Sequence, residues 1–170
     1  MRRSIPPFTR GVGGISPNIW MRLSLSVIHH TDSLSLKTMQ TLQFSTENKT
    51  EIIDITPMVQ AAVTETGIQT GACTIYVPHT TAAICIQENA DPNVHVDLLE
   101  ALDRLIPQGL PYKHQTENKN APSHIKAALL GPSKTVFIGE GQLLLGRYQS
   151  IHLCEFDGPR SRQVWLRTVN

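Results

Sequence analysis

The chain has 170 residues, of which 40% are hydrophobic and 17% charged, and its formal net charge is +1. This length supports one sizeable core and is short for two ordinary domains, and the composition is typical of a globular protein. No apolar run approaches the ~18 residues that a membrane-spanning helix needs. The near-neutral charge gives no electrostatic case for nucleic-acid binding. A membrane-spanning protein and a nucleic-acid-binding protein are therefore both disfavoured.

The first 35 residues differ in composition from the rest. Four arginines precede the first acid, Asp32, in a segment rich in Ser, Gly and Pro. Such a segment resembles an organelle transit peptide. A misassigned start, with Met21 or Met39 as the true first residue, or a plain disordered extension is favoured over a targeting leader. We therefore place the domain at residues 36–170.

Two strands and a helix are predicted at the start of this domain. Residues 37–45 alternate polar with apolar side chains loosely, as an edge strand does, and residues 51–55 follow as a short strand. Thr56 then supplies an N-cap hydroxyl, and Pro57 occupies the first helical position. A helix is therefore predicted over residues 57–66.

The middle of the domain contains two strands and the longest predicted helix. The strands cover residues 71–77 and 82–87, and the loop between them places His79 at a strand end. Asp91, as an N-cap, begins the long helix at residues 92–106, where leucines recur at helical spacing.

A short helix followed by four strands is predicted in the last part of the chain. The helix covers residues 123–130, the strands cover 134–138, 142–145, 149–153 and 162–169, and Glu140 with Gly141 forms a hairpin turn. Because most strands are adjacent in sequence and the three helices are insertions, an antiparallel or mixed sheet layered with helices is favoured over a parallel α/β fold. We predict a single α+β domain.

Three histidines are the leading candidate functional residues. His79, His114 and His124 all lie in predicted loops or at element ends, where functional residues concentrate. Neutral imidazole is the commonest metal ligand in proteins, and three such nitrogens leave an open coordination position, as catalytic sites do. The pattern predicts a metal- or anion-binding pocket, with an ordinary polar loop as the alternative.

The other four histidines are interpreted as structural or solvated. His29 and His30 lie in the first 35 residues, and His95 lies on the predicted exposed side of the long helix. His152 alternates within a strand and is expected to be half-buried.

The cysteines do not predict a functional site. Cys73, Cys85 and Cys154 are odd in number and lack CxxC spacing, so neither a disulfide framework nor a cysteine zinc site is indicated. Each lies in an apolar, strand-like run, which predicts inert buried thiols. A reducing compartment fits, and we expect the protein in the cytoplasm.

Charged residues near the histidines add further candidates. Glu88 follows the strand after His79 and suits acid–base work or the orientation of a ligating histidine. Arg160 and Arg162 could bind a phosphate with bidentate geometry, although a solvated strand face explains them almost as well. Neither a Walker or Rossmann glycine loop nor a serine- or cysteine-hydrolase signature occurs, which excludes nucleotide binding by those routes and disfavours such hydrolases.

Several ordered blocks of the sequence resemble the YjbQ-like family of secondary thiamine-phosphate synthase enzymes. These blocks are VPHTTAA at 77–83, QENADP at 87–92, PYKH at 111–114, APSHIKAALLG at 121–131, GQLLLG at 141–146 and LCEFDGPR at 153–160. The resemblance extends from about residue 36 to residue 169 and is more specific than any single motif.

The resemblance implies an α+β fold with a β-sandwich-like core, assembled as a homotrimer. It also implies a pocket near the subunit boundary in which His79, His114 and His124 converge and hold a divalent metal ion such as Zn or Mg.

The reaction implied by the resemblance joins hydroxymethylpyrimidine diphosphate to thiazole phosphate, giving thiamine phosphate and pyrophosphate. A divalent cation and cationic side chains would stabilise the leaving diphosphate. Lys126 and Arg162 are the candidates for the cationic role, with Glu88 as the third candidate catalytic residue.

Two other interpretations use the same residues. In the first, the protein is a non-catalytic module that binds a metal or a phosphorylated small molecule. In the second, the three histidines only bridge the subunits of a trimer.

Overall fold

The computed structural model describes residues 39–114 and 119–170, and this part of the chain forms three helices and eight strands. In chain order they are β1 (Met39–Ser45), β2 (Glu51–Asp54), α1 (Thr56–Glu65), β3 (Thr70–Tyr76), β4 (Ala82–Glu88), α2 (Asn93–Leu105), α3 (Ala121–Leu130), β5 (Ser133–Gly139), β6 (Gln142–Leu143), β7 (Gln149–Glu155) and β8 (Ser161–Val169). The predictions for the first 35 residues, with His29 and His30, lie outside the described residues.

The strands form two antiparallel sheets. One has five strands in the order β1-β8-β3-β5-β6, and the other has three in the order β2-β7-β4. The predicted α+β class with three helices is confirmed, and β1 is an edge strand as predicted. Glu140 and Gly141 form the predicted hairpin turn between Gly139 and Gln142, with φ of 52° and 74°. Positive φ at both central residues is the geometry of a tight hairpin turn.

The main hydrophobic core lies between the two sheets. Because side chains alternate along a strand, one face of each sheet is apolar and turns inward. Buried side chains from the five-stranded sheet, the three-stranded sheet and α1 meet there, including Phe44, Ile75, Leu166, Ile84, Leu153, Val59 and Val63.

A second hydrophobic cluster lies on the other face of the three-stranded sheet. Helices α2 and α3 cover this face, and Leu102 and Ala127 pack there against strand residues such as Ala83 and Cys154. The three-stranded sheet is therefore buried on both faces. No helix within residues 39–114 and 119–170 combines the length and apolar character that crossing a bilayer requires.

Neither helix-capping prediction is confirmed. The Asp91 carboxylate accepts a hydrogen bond from the Asn93 N–H at 2.9 Å, but Pro92 occupies the N-cap position of α2 and no side-chain cap is formed there. The prediction that the Thr56 hydroxyl caps α1 is wrong, because no side-chain cap is formed there. The Thr56 hydroxyl instead accepts a hydrogen bond from the Ile151 N–H at 2.8 Å and ties the start of α1 to β7.

Two of the histidine interpretations are wrong. His152 is fully buried rather than half-buried, at 0% exposure, because β7 is the central strand of the sheet that is covered on both faces. His95 is half-buried rather than exposed, because its ring packs edge-on against His152 with 4.5 Å between ring centroids.

Candidate functional site

Polar side chains from three parts of the chain meet at one end of the three-stranded sheet. The Phe156 N–H donates to the Thr81 carbonyl at 3.1 Å, and the Ser123 hydroxyl of α3 donates to the Phe156 carbonyl at 2.6 Å. These bonds bring together the start of β4, the end of β7 and the first turn of α3. We call this region the polar end, and it comprises His79, Thr81, Ser123, Asp157, Arg160 and Arg162.

A buried ion pair lies at the centre of the polar end. Arg162 donates from Nε and Nη2 to the two carboxylate oxygens of Glu155 at 2.6 and 2.5 Å, and from Nη2 to the Thr81 hydroxyl at 2.8 Å. Glu155 is 0% and Arg162 4% exposed. Such bidentate geometry fixes the guanidinium and pairs its charge within the chain. The role of Arg162 at a leaving diphosphate stays a prediction.

A second ion pair lies closer to solvent. Arg160 Nη2 donates to Asp157 Oδ2 at 2.7 Å, and Asn120 Nδ2 donates to the same oxygen at 2.9 Å. Burial raises the pKa of the Asp157 carboxyl, but the hydrogen bonds from Asn120 and Arg160 outweigh it, and the pKa lies below its ordinary value. Arg160 keeps part of its side chain exposed and can reach a ligand at this end.

His79 lies beside the buried ion pair in a fixed orientation. Its Nε2 accepts a hydrogen bond from the backbone N–H of Gln163 at 2.9 Å. Burial lowers the pKa of His79, the positive charge of Arg162 lowers it further, and Glu155 opposes them. His79 is therefore neutral near pH 7 with its proton on Nδ1, and this N–H can donate a hydrogen bond to a ligand.

The charge state of His79 gives a pH-dependent prediction. Because its pKa is lower in the folded chain than the ordinary histidine value of 6.5, neutral His79 contributes stability that is present above that pH and lost as the pH falls through the folded pKa. Urea unfolding on both sides of this range should show a smaller loss on acidification for His79→Gln, whose amide oxygen can still accept the Gln163 N–H. An equal loss in both proteins would contradict this assignment.

His114 and His124 are brought together, as the sequence predicts. Their rings meet edge to face at 83°, with 5.1 Å between centroids. They line an open pocket of about 390 Å³ together with Tyr112, Lys113, Ala121 and Ile125. His124 lies in the first turn of α3, three residues after Ala121, which begins the helix. The positive end of a helix dipole and a lysine favour an anion here.

The three predicted metal ligands do not all line this pocket. His79 is absent from its walls, and in residues 39–114 and 119–170 no three His, Cys, Asp or Glu side chains are placed to hold a metal ion. Two imidazoles suit a divalent metal in chemical type but are fewer than the three ligands of a typical catalytic zinc site. Metal binding by all three histidines stays a prediction.

Glu88 and Lys126 occupy other surroundings. Glu88 ends β4, whereas His79 precedes it, and a strand of this length separates its ends by ~20 Å. The Lys126 ammonium is buried and forms an ion pair with Asp103 of α2. Neither side chain reaches the polar end through the contacts described here, and the catalytic roles of both stay predictions.

Sequence analysis overlooked Glu155 as a site residue. The signal was present, since an acid flanked by Cys154 and Phe156 in an apolar strand must find a partner when it is buried. The alternating arginines of β8 were available to meet it.

The polar end and the histidine pocket lie within the part of the chain that a family profile matches. The profile of the UPF0047 protein YjbQ-like family matches residues 40–170. The chain belongs to this family. Among its YjbQ-like relatives, the UPF0047 protein MJ1081 of Methanocaldococcus jannaschii is 42% identical over 136 residues, which is 80% of this chain and 97% of that protein. The UPF0047 protein YugU of Bacillus subtilis is 43% identical over 134 residues, which is 77% of this chain and 98% of that protein.

Solved structures of YjbQ-like proteins share the fold. An uncharacterised conserved protein of the family from Clostridium acetobutylicum superposes with a TM-score of 0.73 at 43% identity, over 76% of this chain and 98% of its own. A protein of unknown function from Sulfolobus solfataricus also superposes with a TM-score of 0.73, at 32% identity over 76% of this chain and 94% of its own.

Proposed function

We propose that this YjbQ-like protein binds phosphorylated small molecules at the pocket of His114 and His124 and joins hydroxymethylpyrimidine diphosphate to thiazole phosphate. The observation that carries the proposal is the pair of imidazoles in an open pocket at the start of α3. The hydrogen bonds of Ser123 and Asn120 attach this helix end to the polar end, where Arg160 is partly exposed. Lys113 and the two imidazoles thus line one pocket, and Arg160 lies at the adjoining polar end.

The chemistry needs charge stabilisation more than proton transfer. The bond from the pyrimidine methylene carbon to the diphosphate oxygen breaks, and pyrophosphate leaves with the electron pair. The thiazole nitrogen then donates its lone pair to the methylene carbon. In this proposal Lys113 and Arg160 bind phosphoryl oxygens, and a divalent metal held by His114 and His124 would supply further positive charge.

The site is completed, in this proposal, by a neighbouring copy in a homotrimer. The outer face of the five-stranded sheet carries Tyr76 and Trp165, whose rings lie 5.7 Å apart, together with the exposed Phe137 and Leu144. His79 borders this face through its bond to Gln163 of β8. Packing of this face against a second subunit would place His79 at the boundary, where its Nδ1–H could donate a hydrogen bond to a phosphoryl group bound by a neighbour's histidine pair.

The binding proposal predicts a large effect of His124→Gln. Loss of one imidazole should weaken binding of Zn²⁺ or of pyrophosphate with Mg²⁺ by at least about tenfold, since even outer-shell partners of a metal contribute that much. Titration calorimetry measures it. His95→Gln is the matched control, because His95 lies near the Glu88 end of β4, and it should bind as wild type does. Equal affinities in all three proteins would overturn the proposal.

A non-catalytic binding module is the second candidate function. It is favoured by the internal pairing of Arg162 with Glu155 and of Lys126 with Asp103, which leaves fewer cations for a leaving diphosphate. A product assay with both phosphorylated substrates separates the two functions. Product above the enzyme-free rate that falls in His124→Gln supports the synthase, whereas tight binding with background product supports the module.

A further inference from the structure

Two of the three cysteines face each other beneath the helices. Cys85 of β4 and Cys154 of β7 lie on the face of the three-stranded sheet that α2 and α3 cover. Their Sγ atoms are 3.3 Å apart. In the strand register Cys85 is directly opposite His152, and Cys154 is opposite Ala83, so the two thiols are diagonal neighbours on one face.

A buried imidazole lies beside this thiol pair with one nitrogen unused. His152 Nε2 is 3.4 Å from Asn89 Oδ1, and Asn89 Nδ2 donates to Asp54 Oδ2 at 2.8 Å, which turns the amide oxygen toward the ring. His152 Nε2 is therefore the donor, and Nδ1 is the basic nitrogen. Within the described residues Nδ1 is buried and has no hydrogen-bond partner. A buried nitrogen without a hydrogen-bond partner lowers the stability of the fold unless a proton donor is close.

The surroundings of the two thiols make them chemically different. The hydrogen bond from Cys154 lowers the pKa of Cys85, burial opposes it, and His152 lowers it further. The same hydrogen bond and burial raise the pKa of Cys154. Cys85 is therefore the more acidic of the two thiols, and Cys154 is the donor of the hydrogen bond between them. The thiolate is the nucleophilic form of cysteine.

We propose that Cys85 and Cys154 form a redox site in which a small hydroperoxide oxidises Cys85 and Cys154 then closes a reversible disulfide. The Cys85 thiolate attacks the terminal peroxide oxygen, so that an S–O bond forms as the O–O bond breaks. Cys85 becomes a sulfenic acid, and the hydroperoxide is reduced to an alcohol or water.

The second step closes the bond between the two strands. Cys154 loses its proton, and its sulfur attacks the Cys85 sulfur. The S–O bond breaks, the hydroxide leaves as water after taking up a proton, and the S–S bond forms. In sum, two thiols and one hydroperoxide give one disulfide, one alcohol or water, and one further water.

The geometry selects a small oxidant. Cys85 is 8% and Cys154 0% exposed, which excludes a bulky disulfide reagent but leaves Cys85 within reach of a molecule close to water in size. Bond formation requires the sulfurs to approach from 3.3 Å to ~2.05 Å, by side-chain rotation with a small adjustment of the strands. Disulfides of this kind in a reducing compartment are transient and redox-sensing.

Cys73 supplies a control within the same chain. It is fully buried in the main core between the sheets, and burial raises its pKa to about 11. It should remain a thiol under conditions that oxidise Cys85.

The test is mass spectrometry of the full chain after treatment with hydrogen peroxide. Remaining thiols are alkylated after unfolding, and the unreduced protein is digested with chymotrypsin, which cleaves after Tyr76 and so separates Cys73 from Cys85. We expect a cross-linked Cys85–Cys154 peptide, an intact mass lower by two hydrogen atoms, an alkylated Cys73, and reversal by dithiothreitol. Cys85 should be oxidised at least about tenfold faster than Cys73, since the thiolate is the reactive form.

Two variants assign the roles. Cys154→Ser should form no disulfide and should accumulate a Cys85 sulfenic acid that dimedone traps, whereas Cys73→Ser should behave as wild type does. The measurement on the wild-type protein does not depend on whether either variant folds. Alkylated Cys85 and Cys154 after peroxide treatment, a cross-link that involves Cys73, or equal oxidation rates of Cys85 and Cys73 would each overturn the proposal.

Discussion

Replacing Glu155 with alanine should lower the free energy of unfolding by about 3–5 kcal/mol. The change leaves the Arg162 guanidinium buried without its counter-charge, and that loss exceeds the gain from no longer burying the carboxylate. It also removes the oxygen that accepts a hydrogen bond from the Thr46 hydroxyl at 3.2 Å. Urea unfolding followed by circular dichroism measures the difference.

An exposed ion pair supplies the control for this effect. Glu100 and Arg104 of α2 are 3.2 Å apart, with side chains 60% and 70% exposed. Glu100→Ala should change the free energy of unfolding by less than about 1 kcal/mol, as is usual for surface pairs. The double substitution Glu155→Met with Arg162→Met should recover most of the loss, because it removes both buried charges together. A small effect of Glu155→Ala alone would show that water reaches Arg162.

Phe137→Lys should convert the proposed homotrimer into monomers. Phe137 lies on the outer face of the five-stranded sheet and is 70% exposed in the single chain. An aromatic side chain at the centre of an interface commonly contributes 2 kcal/mol or more, roughly, to assembly, and a buried ammonium adds a desolvation cost. Size-exclusion chromatography with light scattering gives the molar mass over a range of protein concentrations.

Leu105→Lys is the matched control for the assembly. Leu105 is 69% exposed and lies on α2, away from the five-stranded sheet. The Leu105→Lys substitution should leave the molar mass unchanged. Dissociation by Leu105→Lys but not by Phe137→Lys would place the interface on the helical side and contradict the proposed contact of His79 with a neighbouring pocket. A monomeric wild-type protein would remove the homotrimer altogether.

Local patterns were sufficient to predict the elements of the fold. Two-residue alternation marks β1 and β8, and the turn residues Glu140 and Gly141 mark the hairpin. These signals depend on sterics and burial within a few residues of chain, and they are readable without knowing the rest of the molecule. The antiparallel arrangement was predicted because strands adjacent in sequence tend to pair, but among the described strands only β5 and β6 are both adjacent in sequence and paired.

Patterns within one strand could not show which layers would cover it. The alternation in β7 predicted a half-buried His152, but α2 and α3 cover the second face of that sheet, so both sets of side chains are buried. The same difficulty applies to His95, whose burial depends on contact with His152. The elements that cover a strand can come from distant parts of the sequence, and the periodicity of the strand carries no information about them.

The candidate site could be predicted only in part, because it too depends on contacts between distant parts of the chain. The proximity of His114 and His124 was implied by the family resemblance. The separation of His79 from Glu88 was already implicit in the predicted strand at residues 82–87, which lies between them. The charge of Arg162 was visible in the sequence, but its neutralisation by Glu155 depends on two strands in different sheets coming together.

The pairing of the first described strand with the last has a consequence for how the protein is made. Strand β8 lies between β1 and β3, and Met39 is opposite Arg167. The larger sheet therefore cannot be completed until β8 has left the ribosome. Until then β1 and β3 lack the strand that joins them, and their apolar faces stay open. Contacts of such long sequence separation slow folding and lengthen the time in which a chain can aggregate. The growing chain thus has to keep β1 and β3 from pairing with other molecules until β8 is available.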